Sequence, residues 1–232
     1  YQGHTTRHGH GRGEPSGDLP PTAFVAFLQN HDQIGNRALG ERLHQLCSPQ
    51  ALKAATTLLL LSPMIPLMFM GDEVNAREPF LFFTDHHGEL AQAVREGRRN
   101  EFADFAAFHD PERRERIPDP NALSTFTQSA PTWADNEHTR FYRQLLSLRH
   151  RHIVPHLPGS VALGARVLAD AAVSAHWRLG DGSVLQIDLN LGTTALEHPA
   201  GTHILFQTPA QDGTQLPPHS ARVTLFPVGE HP

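Results

Sequence analysis

Phe24-Val-Ala-Phe-Leu-Gln-Asn-His-Asp-Gln-Ile-Gly-Asn-Arg37 is the stretch that decides the fold. Its first five residues, Phe24 to Leu28, form a short apolar run of β-favouring side chains, the length of a strand buried on both faces. The run ends abruptly in Asn30, His31, Asp32 and Gln33, then Gly35-Asn36. Parallel α/β proteins place their chemistry at the C-terminal tips of such strands, and this one would deliver an imidazole and a carboxylate there. The same cluster also reads as a plain turn, because Asn, Asp and Gly favour turns for local reasons.

Downstream, Ala38 to Leu46 has leucines on one side and predicts a short helix. Ser48-Pro49 then supplies an N-cap and a proline at the first helical position, opening an Ala- and Leu-rich helix to about Ser62. A second apolar run, Ile65 to Met70, closes in Gly71-Asp72-Glu73. Strand, polar tip, helix, strand, polar tip is a βαβ crossover, which predicts a parallel sheet with both acidic tips on one rim. Two such carboxylates would suit sugar hydroxyls; equally, Asp72 and Glu73 could cap the following segment. Pro79-Phe-Leu-Phe-Phe83 follows as an aromatic loop, a floor for a pyranose ring or ordinary packing.

Asp85 is expected to cap a helix from His86 to about Phe108, with Leu90, Val94, Phe102 and Phe105 inward. Arg95, Arg98, Arg99 and Glu101 then read as a solvated charged face. Residues 109 to 134 predict an irregular connector whose Trp133 packs on the next element. Asp135 or Asn136 would cap a helix to about Arg151, with Phe141, Leu145 and Leu148 inward. From Ile153 short alternating runs begin, at Val161–Leu168, Val173–Leu179, Val184–Leu189, His203–Phe206 and Ala221–Phe226, and Gly180-Asp181-Gly182 is a hairpin signal. They predict a small antiparallel β-sandwich, with a domain boundary between residues 152 and 153.

Composition excludes several classes. The 232 residues carry a formal charge of −5 with scattered basic residues, so no nucleic-acid partner is called for. The longest apolar run, Ala54 to Leu61, is too short to span a membrane. One cysteine, Cys47, supports no disulfide framework, suits a reducing cytoplasm, and reads as a small buried hydrophobe in a helix. His4, His8 and His10 lie in a Gly-rich segment without a completing Cys or carboxylate, so no metal is expected there. The first residue, Tyr1, suggests a piece of something longer.

Asn30-His31-Asp32 at a strand end resembles the fourth conserved motif of the α-amylase superfamily, glycoside hydrolase family 13. A closer resemblance, to the maltooligosyltrehalose trehalohydrolase family within it, is carried by Phe27–Arg37 and by Pro66-Leu-Met-Phe-Met-Gly-Asp-Glu73. Pro79-Phe-Leu-Phe-Phe-Thr-Asp-His86, Arg95-Glu-Gly-Arg-Arg-Asn-Glu-Phe102, and Ile117-Pro-Asp-Pro120 with Thr125-Phe126 carry it further. Asp72 stands where that family leads one to expect Glu.

The resemblance implies a fold: strands seven and eight of a (β/α)8 TIM barrel over residues 1–152, and a C-terminal β-sandwich over residues 153–232. It implies cleavage of the α-1,4 bond beside the terminal trehalose of maltooligosyltrehalose, with retention, and no cofactor; calcium is left open. Asp32 would stabilise the transition state. His31 would bind the same sugar, with Gln33, Asn36, Arg37 and Phe80 lining the site. The family's nucleophile and acid/base belong on upstream strands, and neither Glu14 nor Asp18 matches them. The chain is therefore expected to be inactive alone and to expose strand edges that the upstream barrel half would cover. Two other readings stay open: another α-glucan enzyme such as a glycogen branching enzyme, and a non-catalytic glucan-binding module.

Overall fold

A computed structural model describes residues 15–198, 201–210 and 214–230. The expectations for His4, His8, His10 and Glu14 lie outside the described residues. Two compact units emerge. One takes in the described residues of Tyr1–Leu28, Ser48–Leu67 and Phe141–Pro232, and the other is Gln29–Cys47 with Met68–Arg140.

In the first unit, β1 (Val25–Ala26) pairs in parallel with β2 (Ile65–Pro66), Val25 beside Ile65 and Ala26 beside Pro66. Both strands are shorter than the apolar runs that announce them. Among the described residues they pair only with each other. One face of the pair turns Ala26 and Leu28 into the core, while Val25, 59% exposed, points outward with Phe27, Ile65 and Leu67.

The helix between the strands is read correctly from its cap. In α2 (Pro49–Leu61) the Ser48 hydroxyl accepts the Ala51 N–H at 3.1 Å and Pro49 occupies the first turn. Its last three leucines are buried. They meet Tyr142 and Leu145 of α6 (Glu137–His152), and Ile153. Asn136 receives the Thr139 N–H at 3.0 Å, the expected capping contact. α6 buries Tyr142, Leu145 and Arg149, one face round from the expected Phe141 and Leu148, which are half-buried.

Against these helices lies a five-stranded antiparallel sheet in the order β3 (Val161–Ala169), β4 (Ala172–Arg178), β5 (Val184–Asn190), β9 (Ser220–Phe226), β7 (Ile204–Thr208). A ribbon of β6 (Leu196–Glu197) and β8 (Gln215–Leu216) accompanies it. All five predicted strands are present to within a few residues, because each alternates and is bounded by turn residues. Gly180-Asp181-Gly182 joins β4 to β5, with Leu179 N–H donating to Ser183 O at 2.8 Å.

The alternation sorts the sheet into two faces. Ala175, Trp177, Leu185, Ile187 and Val223 join the helical core, each large side chain worth about 1.5–3 kcal/mol of burial. The other face is polar. Arg166, Ser174, Asp188, Arg222 and Gln207 lie side by side across all five strands. Asp188 is buried there, accepting from Ser174 Oγ at 2.6 Å and Gln186 Nε2 at 2.8 Å, with His198 Nε2 3.0 Å away. Arg222 beside it sends Nη1 to His198 O at 2.9 Å and Nη2 to Gln215 O at 2.7 Å, and this pairing offsets much of the cost of burying such a face.

The second unit departs more from expectation. The polar tip is itself a short helix, α1 (His31–Gly35), and the helix expected over Ala38–Leu46 shrinks to one 3-10 turn, Leu43–Gln45. Gly40, at φ +63, sits just before it, where a helix cannot run through. α3 (Gly88–Glu101) opens on Gly88 itself, at φ +59, without an Asp85 cap, and ends seven residues early. Phe105 therefore falls outside the helical period and is exposed, as is Leu90; Phe102 is buried with Ala38 and Ile117. The connector holds two short helices, α4 (Pro111–Glu115) and α5 (Leu123–Gln128), and Trp133 is exposed rather than packed. Cys47 lies beyond the 3-10 turn, half-buried, with Sγ donating to Leu43 O at 3.3 Å.

Candidate functional site

Asn30 builds the site. Extended at φ −142, it accepts the Gln33 N–H on its side-chain oxygen at 2.9 Å, and Ile34 and Asn36 return N–H bonds to Asn30 O and Asp32 O. A cluster that reads as a turn thus winds into one capped helical turn. It stands on buried Ile34 and holds His31 and Asp32 outward, their side chains 67% and 70% exposed. His31 Nε2 lies 3.4 Å from Asp32 Oδ1. An acceptor carboxylate beside an imidazole, open to solvent on a fixed turn, is equipped to grip neighbouring hydroxyls.

The remaining predicted site residues gather round this turn in different ways. Gln33 shares it and is exposed, and Asn36 caps its C-terminus. Arg37 is exposed and directs Nε to Glu41 Oε2 at 3.2 Å. Phe80 comes in from behind: a Cβ on Gly35 would lie 3.8 Å from its ring. That ring is half-buried and meets Phe69 and Phe83 edge-on at 4.9 and 5.7 Å, and Phe83 in turn meets the more open Phe126.

Asp72 behaves differently from Asp32. Oδ2 accepts the Phe69 N–H at 2.9 Å and closes the turn over residues 69–72, within which Gly71 has φ +90. Oδ1 accepts from Gln29 Nε2 at 2.6 Å, and Gln29 Oε1 receives the Leu43 N–H at 2.8 Å. Burial raises the Asp72 pKa, against the pull of these bonds and of Arg42. Arg42 is buried, donating to Glu78 O at 2.7 Å and Met70 O at 2.9 Å, with its guanidinium 5.4 Å from the Phe69 ring centre. Burial lowers its pKa, and burial with Arg42 and Arg77 lowers that of His44. Asp72 is spent on structure while Asp32 is left open.

Sequence reasoning missed the residues that hold these turns. Gln29 sits inside the deciding stretch but reads as its edge. Arg98 belongs to a run read as solvated, yet it is 7% exposed and donates to Gly35 O at 2.6 Å and Arg37 O at 3.0 Å. Arg95 ion-pairs with Asp119 at 2.7 Å. Only the glycine and aromatic residues around Arg98 hinted that a cation could be enclosed there.

Among the described residues, no group of three or more His, Cys, Asp or Glu is arranged to hold a metal. No described helix is long and apolar enough to cross a membrane. A cavity of about 330 Å³ lies in the β-sheet unit, lined by Arg166, Val167, Leu168, Leu196, Glu197 and His198; no predicted site residue borders it.

Residues 162–223 match a family described only as a domain of unknown function, DUF3459. The chain is 48% identical over 153 residues to a malto-oligosyltrehalose trehalohydrolase of Deinococcus radiodurans, covering 63% of this chain and 25% of that protein. It is 38% identical over 230 residues to one of Rhizobium sp. strain M-11, covering 92% and 37%. A crystal structure of a putative alpha amylase from Salmonella typhimurium superposes with TM-score 0.83 at 42% identity, covering 98% of this chain and 39% of that one. The chain thus spans a quarter to two fifths of the length of these relatives. In sequence and fold alike it resembles malto-oligosyltrehalose trehalohydrolases and an alpha amylase, and it carries part of a (β/α)8 barrel and the antiparallel β-domain that follows it.

Proposed function

We propose that this chain serves a retaining glycoside hydrolase that frees trehalose from maltooligosyltrehalose, and that Asp32 is its transition-state stabiliser. The observation that carries the reading is the capped turn holding His31 and Asp32 together and open. An oxocarbenium-like sugar develops positive charge and shifts its hydroxyl geometry, and a carboxylate fixed before the reaction stabilises that state without reorganising. His31 donates to the same sugar, Gln33, Asn36 and Arg37 line its surroundings, and the aromatic loop around Phe80 backs the turn.

Retaining hydrolysis needs a nucleophile and an acid/base about 5–5.5 Å apart. Asp72 is engaged in its own turn and supplies neither role. We assign both to a barrel portion outside this sequence, with residues 1–152 completing the barrel, residues 153–232 forming the β-domain, and the chain by itself inactive. The uncovered apolar face of Val25, Phe27, Ile65 and Leu67 supports a barrel that continues past these two strands.

The test uses the full-length protein containing this chain. Trehalose release from maltooligosyltrehalose is assayed, with the anomeric product followed by NMR. Asp32→Asn is expected to lower kcat by about 10²–10³ or more while leaving the melting temperature unchanged. Full activity in that variant would refute the role of Asp32, and release by the 232-residue chain alone would refute the assignment of the missing carboxylates.

A further inference from the structure

We propose that Arg98 is a positioning residue for Asp32, an inference that rests on the function proposed above. A five-residue helix has almost no stability of its own, since the cost of nucleation is spread over too few bonds. The turn carrying Asp32 is therefore as rigid as its anchors. Asn30 holds its N-terminus and Ile34 its buried side. Its C-terminal end is held by one nitrogen: Nη2 of Arg98 donates to both Gly35 O and Arg37 O, the carbonyls that flank the end of the helix. A cation placed there also complements the helix dipole, and a charge-assisted bond is stronger than a neutral one.

The guanidinium is itself immobilised. Nη1 donates to Glu101 at 2.8 Å, and the Phe82 and Phe102 ring centres lie 5.0 and 4.7 Å from its central carbon. So the aromatic residues of one loop and the end of α3 are tied, through a single planar fork, to the backbone beneath the catalytic carboxylate. Arg98 touches no substrate in this arrangement. Its work is to keep Asp32 in one orientation, which is where a displacement of about 1 Å can cost about a hundredfold in rate. Lysine, a point donor without the planar fork, keeps the charge but not the two-carbonyl geometry.

The test is made in the full-length protein with Arg98→Ala, Arg98→Lys and, as a neighbour outside the clamp, Arg99→Ala. Arg98→Ala is expected to lower kcat by about 10–100-fold with KM within a few-fold. Arg98→Lys should fall between, and Arg99→Ala should match the wild type. Amide exchange at Asn36 and Arg37, whose N–H groups close the turn, should speed up in Arg98→Ala, and added guanidinium should restore part of kcat. If Arg98→Ala does not fold, Arg98→Lys decides by the same readouts. A folded variant with unchanged kcat and unchanged exchange at these amides would overturn the proposal. So would an equal loss in Arg99→Ala. An inactive wild type would instead overturn the functional reading, and this one with it.

Discussion

Gln29 Nε2 donates to Asp72 Oδ1 over 2.6 Å, tying the residue before the His31–Asp32 turn to the acidic turn that follows β2. Gln29 answers with its other atom, accepting the Leu43 N–H at 2.8 Å. Gln29→Leu would strand one partly buried N–H and one carboxylate oxygen. We expect a loss of about 1–3 kcal/mol in urea unfolding. Because Asp72 already binds its proton more tightly when folded, removing a donor widens that difference. The deficit should therefore be larger at neutral pH than below about pH 3, where the carboxyl is largely protonated in both states.

Arg149 is the equivalent fastener in the first unit. It is buried in α6 and donates to the carbonyls of Leu60, Ser62 and Met64, where α2 ends and the chain turns into β2. Burial lowers its pKa, but no carboxylate is needed because three carbonyls satisfy the charge. Arg149→Ala leaves them without a donor in the core and is expected to cost about 2–5 kcal/mol, read as a lowered denaturation midpoint.

The hairpin between β4 and β5 gives an acid signature. Burial opposes ionisation of Asp181, but the Ser183 hydroxyl and N–H, at 2.6 and 3.0 Å, and His156 together hold its pKa below the ordinary aspartate value. A folded pKa below the unfolded one contributes stability at neutral pH that disappears as pH falls through the folded value. The gap in melting temperature between wild type and Asp181→Ala should stay constant above about pH 5 and narrow below about pH 4. A gap that widened on acidification would contradict this.

Two glycines should respond in opposite directions to alanine. A Cβ on Gly180 would overlap Pro158 O, a backbone atom that cannot step aside, so Gly180→Ala should cost about 1–3 kcal/mol or more. Gly97 lies within α3 with open space around its missing Cβ. Gly97→Ala should stabilise the protein by about 0.5–1 kcal/mol. Thermal melts of the two variants check both.

What the sequence let one read depended on whether a signal was local. The Ser48-Pro49 cap, the alternating strands of the β-domain and the Gly180-Asp181-Gly182 turn each act within a few residues, and each was legible. His31 and Asp32 were legible as a pair, but not as members of a helix, because one hydrogen bond accepted by the Asn30 side chain from the Gln33 N–H converts turn residues into a helical turn. Arg98 and Gln29 were illegible because their partners lie 63 and 43 residues away. The β6–β8 ribbon was missed because two residues per strand are too few to show alternation. Trp133 and Phe105 misled because an aromatic residue is read as core by default, and about half of a folded surface is apolar anyway.

The polar row across the β-domain has a consequence for how the chain finds its structure. Sliding any central strand by one residue would exchange its two sets of side chains. For β5 that slip would drive Asp188 and Gln186 under the leucines of α2 and leave Ile187 against Ser174 and Arg222. An all-apolar strand could settle into such a mispairing and stay there; this one cannot. Arg166, Ser174, Asp188, Arg222 and Gln207 thus work as a combination lock, which opens to a compact state only when all five strands show the right number at once.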